Sequence, residues 1–204
     1  MALTRKALRK IKSLLRHGGD WERIRALERL EFVSCGKELR AELCLYLRTA
    51  LTDENELVRC NALEALGNHP YCIDTEEIVA ILSGDQSSLV RGEAADLLGI
   101  RGDRSAESSI LQAIAIADDE AEQASMYFAL CLFQNPLGLD GLLRLLKSTH
   151  YLPRCAAANL LPRCTSAANR EVVLSALTNA LAEECTVAAR SSISNALAEI
   201  KRGQ

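Results

Sequence analysis

Apolar residues recur along this chain three and four positions apart, the spacing of one face of an α-helix. The first stretch shows it: Leu3, Ala7, Leu8, Ile11, Leu14 and Leu15 fall on one side, with Arg5, Lys6, Arg9, Lys10, Lys12 and Arg16 elsewhere. Strand-type runs of β-branched and aromatic residues are missing. Breakers and caps divide the pattern into six helix pairs, predicted at 3–17 and 20–33, 37–51 and 55–67, 75–83 and 87–99, 105–117 and 120–134, 138–147 and 151–162, and 169–182 and 185–201. Thr4, Asp20 and Asp74 or Thr75 are candidate N-caps. Gly18-Gly19, Asp53, Gly84-Asp85 and Asp118-Asp119 supply turns, and Gly67-Asn68 and Gly99 supply stops. Pro153 suits a first helical turn, and Pro162 is expected to end or kink its helix.

The second helix of each pair carries a recurring phrase. It reads Arg59-Cys-Asn-Ala62-Leu63-Glu-Ala-Leu66-Gly67 and again Arg91-Gly-Glu-Ala94-Ala95-Asp-Leu-Leu98-Gly99. Val58 and Val90 precede these copies, and Asp53 and Asp85 stand six residues before the arginines. Weaker copies begin at Arg23, Gln123, Arg154 and Arg190, so the anchors 23, 59, 91, 123, 154 and 190 are separated by 36, 32, 32, 31 and 36 residues. A period in this range marks stacked repeats, each burying its apolar face only against its neighbours.

The pattern Asp-x-x-x-x-Val-Arg-x-x-Ala-x-x-x-Leu-Gly, as Asp53 to Gly67 and Asp85 to Gly99, resembles the HEAT repeat, especially its short bacterial form. Later copies depart from it: Gln123 replaces the arginine, Cys131 and Pro162 replace the glycine, and Glu184 replaces the aspartate. The resemblance implies an all-α, right-handed α-solenoid of about six antiparallel helix pairs, a single domain over 1–204. It also implies a structural Asp/Arg ladder of Asp53, Arg59, Asp85 and Arg91, and a concave face lined by the second helices. With Val58, Ala62, Ala65 and Leu66 turned to the core, the helical wheel puts Glu28, Asn61, Glu64, Glu93, Asp96, Phe128, Asn159 and Asn195 on that face. This column is the expected partner-binding surface, acidic at first and then neutral, with Phe128 as an exposed apolar anchor.

The charge distribution sharpens the expectation. The chain is 49% hydrophobic with only 4% aromatic residues, and its net charge of −3 is uneven. Residues 1–34 carry net +5, residues 35–125 net −11, and residues 126–204 net +3. An acidic middle steers a basic protein toward it and repels phosphate, so another protein is the expected partner and nucleic acid is disfavoured. No apolar run approaches the ~20 residues that span a bilayer. The first residues lack a secretory apolar core, so a cytoplasmic location is expected.

Eight cysteines without a CxxC pair are expected as reduced thiols. His69 and Cys72, with Cys35 from a neighbouring loop, form a weak three-ligand metal idea. No nucleophile elbow or phosphate loop occurs, and no catalytic residue, metal or cofactor is expected. The resulting expectation is a non-enzymatic scaffold or adaptor, in a specific version an immunity-type protein that occludes a basic toxin site. DNA-glycosylase-like and bilin-lyase-like activities, known among HEAT-like proteins, are the alternatives; they require a cluster of perturbed titratable groups in one pocket.

Overall fold

The structure, a computed structural model, describes residues 3–203; residues 1, 2 and 204 of the expected 1–204 domain lie outside it. Among the described residues there are twelve α-helices and no β-strand, so the fold is all-α. The helices gather into two compact units, Met1–Arg101 and Gly102–Gln204.

The first unit holds α1 (Arg5–His17), α2 (Asp20–Glu31), α3 (Arg40–Ala50), α4 (Glu56–Gly67), α5 (Thr75–Gly84) and α6 (Ser88–Arg101). The helices that carry the recurring phrase stack in order, α2 on α4 and α4 on α6, while α1, α3 and α5 each pack on their own pair partner. Leu27, Leu43, Leu63, Leu66, Ile78 and Leu98 are fully or almost fully buried and form the core between the two layers. The helix starts follow local chemistry. Thr4 Oγ1 accepts from the Ala7 N–H at 3.2 Å, and Asp74 and Glu77 close a reciprocal capping box. Asp20 is not a cap: Gly19 is, and Glu22 folds back onto its N–H at 3.0 Å.

Cys44 of α3 is disulfide-bonded to Cys72, in a single 3-10 turn that packs against α3. This corrects the expectation of eight reduced thiols; six cysteines are free. The two residues are 28 apart in sequence, but helix packing brings their Cα atoms to 4.8 Å, within bridging range.

The second unit holds α7 (Glu107–Ile116), α8 (Glu120–Leu132), α9 (Pro136–Leu145), α10 (Tyr151–Cys164), α11 (Arg170–Glu183) and α12 (Val187–Arg202). Here α8, α10 and α12 stack in order, with α7 on α8 and α11 on α12, and α9 packs on both α8 and α10. The approach of α9 to α8 depends on two glycines. A Cβ at Gly138 would collide with the Cys131 backbone, and one at Gly141 with the Tyr127 ring. Pro162 neither ends nor shortens its helix, which runs on to Cys164.

The arginine anchors explain the period physically. Arg23 Nη1, Arg59 Nη1, Arg91 Nη1, Arg154 Nη1 and Arg190 Nη2 each donate to a backbone carbonyl five or six residues earlier, closing the turn before their helix. Gln123 Nε2 makes the same bond to the Ala117 carbonyl at 2.8 Å, so that substitution keeps the function of the position. Between repeats, Arg59 grips Asp85 through two 2.8 Å bonds, and Arg23 Nε meets Asp53 at 2.9 Å. Arg154 meets Glu184 at 2.7 Å. The acids also accept from the N–H two residues on, at Asn55, Ser87 and Thr186. Burial alone would raise the Asp85 carboxyl, but the Arg59 hydrogen bonds, the Ser87 N–H and the charges of Arg59 and Arg91 hold it below its ordinary range. Glu184 is held at about 2, mainly by its hydrogen bonds from Arg154.

Candidate functional site

The outer face of α2, α4 and α6 gathers acid. Glu28 and Glu64 are exposed on α2 and α4, and Glu93 and Asp96 are half-buried on α6. Glu31, at the end of α2, joins them and is not distinguished by the sequence pattern. These groups feel one another. The Glu64 carboxyl is raised by burial and then by Glu31 and Glu28. Glu93 is pushed up to about 8, first by burial and then by the negative charges of Asp96, Glu64 and Glu31. Like charges held together on packed helices disfavour ionisation in this way. Cys60, buried beneath the carboxylates, is raised to about 12 by burial and by Glu93, Glu64 and Glu56, so its thiol is a poor nucleophile at neutral pH.

The remaining expected site residues behave differently. Asn61 is half-buried and its side-chain N–H donates to the Leu57 carbonyl one turn back at 2.8 Å, which engages it within its own helix. Phe128 is not an exposed anchor. It is fully buried, with the Arg163 guanidinium 4.4 Å from the ring centroid. The position equivalent to Glu64 is therefore covered on α8, where the Arg163 side chain of α10 lies over the ring. Asn159 and Asn195 are exposed on α10 and α12 of the second unit. Of the expected column, Glu28, Glu64, Glu93 and Asp96 come together in the first unit, with Asn61 one turn before Glu64 on α4, and Phe128, Asn159 and Asn195 belong to the second unit. The ladder residues Asp53, Arg59, Asp85 and Arg91 lie at the repeat turns, engaged as described.

The metal idea is not assembled. The sulfur of Cys72 is bonded to Cys44, and the His69 ring lies 2.9 Å from the Leu30 carbonyl and 3.1 Å from the Tyr71 hydroxyl. Among the described residues no three His, Cys, Asp or Glu side chains are grouped to hold a metal ion. No helix among them is long and apolar enough to cross a membrane.

The second unit contains an open cavity of about 1170 Å³, lined in part by Leu146, Arg154, Val172, Ala176 and Glu184. Its strongly shifted carboxylate, Glu184, is engaged in the structural pair with Arg154. The lining also carries Glu171, Glu183 and Lys147, while the raised carboxylates of the first unit lie on α4 and α6.

These features define an all-α array of helix pairs with an acidic face on its first three phrase-bearing helices. No family model and no curated protein matches the chain. Among solved structures, it is similar to one described as an engineered protein, over 98% of each chain at 19% identity and a TM-score of 0.50. That likeness is one of fold alone.

Proposed function

We propose that this chain is a non-enzymatic, HEAT-like binding scaffold whose partner is a protein with a basic surface docked on the α2–α4–α6 face. The observation that carries the reading is the crowding of Glu28, Glu31, Glu64, Glu93 and Asp96, within which burial and then the charges of Asp96, Glu64 and Glu31 push Glu93 up to about 8. A lysine or arginine brought among them lowers the cost of ionising Glu93, so binding and deprotonation favour each other. The same field repels phosphate, which weighs against nucleic acid. The high thiol pKa of Cys60 weighs against covalent catalysis by that residue on the acidic face. Occlusion of a basic toxin site, as in an immunity protein, is the special case in which the partner is a toxin. The Cys44–Cys72 bond is of a kind that persists in oxidising compartments, and it counts against the cytoplasmic expectation.

The test uses the wild-type chain and a Glu28→Lys/Glu64→Lys variant as baits in native extract, washed at rising salt. The reading expects one stoichiometric basic protein on the wild type and its loss from the variant. Retention of nucleic acid, or of a partner indifferent to charge reversal, refutes it.

A further inference from the structure

The repeat register allows α2, α4 and α6 to be compared position by position. Two residues before each ladder arginine stands a large apolar side chain left in solvent: Trp21 is 75% exposed, Leu57 44% and Leu89 51%. A single exposed leucine is ordinary, but the same register in three successive helices is a row. Seven residues further along each helix stand Glu28, Glu64 and Asp96. Seven residues are close to two turns, so each apolar residue and its acid share one side of their helix, ~10 Å apart. Stacked helices sit ~8–10 Å apart, so the three pairs form two parallel rails, one apolar and one acidic. Beyond the acids, Phe32 and Ile100 are 75% and 59% exposed, so the carboxylates stand between apolar side chains. A cation placed there would be sheltered from water once those side chains are covered.

We infer that the two rails are a docking surface for a cationic amphipathic helix of the partner, laid across α2, α4 and α6. This rests on the protein-binding reading above and adds the partner's form. The apolar rail sets an apolar flank, and the carboxylate rail sets a flank of Lys or Arg. The ~10 Å repeat of the rails matches seven residues of helix, so both kinds of residue recur every seven positions over roughly fourteen residues or more. The mode is helix-in-groove recognition with electrostatic registration.

Trp21 is the sole tryptophan of the chain, so its fluorescence reports directly on the apolar rail. The probe is a synthetic helical peptide of about 21 residues, three heptads of Leu and Lys, titrated into the full-length wild-type chain. A proline-broken peptide of the same composition and a Glu-for-Lys peptide serve as controls. The expected result is saturable binding of the helical peptide alone, with a blue shift of Trp21. Leu57→Ser/Leu89→Ser and Glu28→Lys/Glu64→Lys each weaken it by roughly tenfold or more; all four sites are solvent-facing, and circular dichroism verifies that the variants fold. Three results overturn the inference. The broken peptide binds equally, Trp21 keeps its emission while the peptide binds, or Trp21 shifts with protein concentration alone, which makes the occupant a second copy. If any of these occurs while the extract still yields a charge-dependent basic partner, only the helical form falls. If no such partner is captured, the protein-binding reading falls as well.

Discussion

Glu93 offers the sharpest test of the acidic face. Its carboxyl ordinarily titrates at 4.5 and in the folded chain is pushed up to about 8. Between those two values the folded chain holds a proton that the unfolded chain releases. The associated stability is therefore fully present below about 4.5, declines as pH rises, and is lost above about 8. At ~1.36 kcal/mol per pH unit, the gap sets a ceiling of roughly 5 kcal/mol. Glu93 keeps partial access to water, so an effect of roughly 2–3 kcal/mol is expected after solvent screening. The groups that face it are Asp96 on its own helix, Glu64 and Cys60 on α4, and Glu31 on α2. Replacing Glu93 with Gln keeps the shape and removes the titration. Urea unfolding of both proteins from pH 4.5 to 9 gives the difference in stability at each pH, in which titrations common to both largely cancel. The glutamine variant should gain on the wild type by roughly 2–3 kcal/mol as pH rises from 5 to 8.5. A difference that stays flat over that span would refute the claim that the carboxylates crowd one another.

Three further predictions address the frame. Arg59→Ala strands the half-buried Asp85 and opens the turn carbonyls of Asp53 and Glu54, so urea unfolding should show a loss of about 3–5 kcal/mol; a loss below about 1 kcal/mol would make the ladder ornamental. Gly141→Ala forces a methyl into the Tyr127 ring and should lower stability by about 1–3 kcal/mol, whereas Gly84→Ala, where nothing lies near, should cost little. Closing a 28-residue separation, the Cys44–Cys72 bond should contribute about 3–4 kcal/mol by loop entropy. Alkylation in denaturant without reductant, read by mass spectrometry, should leave only that pair unmodified, and labelling of both would sink the assignment.

The sequence by itself determined the helices, their pairing and the repeat joints. Those depend on local chemistry: the 3.6-residue apolar period, caps such as Thr4 and Asp74, and an anchor side chain long enough to reach its own turn. That reach explains why Gln123 can stand where the other anchors are arginines. It also determined which charged residues share one side of α2, α4 and α6, because helical geometry places Glu28, Glu64 and Asp96 there without reference to the rest of the fold. What only tertiary structure decided is how each face is covered and what its neighbours do to it. Phe128 occupies the register of Glu64 yet is buried, with Arg163 of α10 laid over its ring. Cys44 and Cys72 belong to distant parts of the sequence and meet only through packing of α3 on the 70–72 turn. Glu93 looks like any surface glutamate in the sequence, and it resists ionisation because helix packing half-buries it and brings Asp96, Glu64 and Glu31 around it. Burial and electrostatics depend on distances between segments, and a repeat pattern states which segments stack without stating how closely.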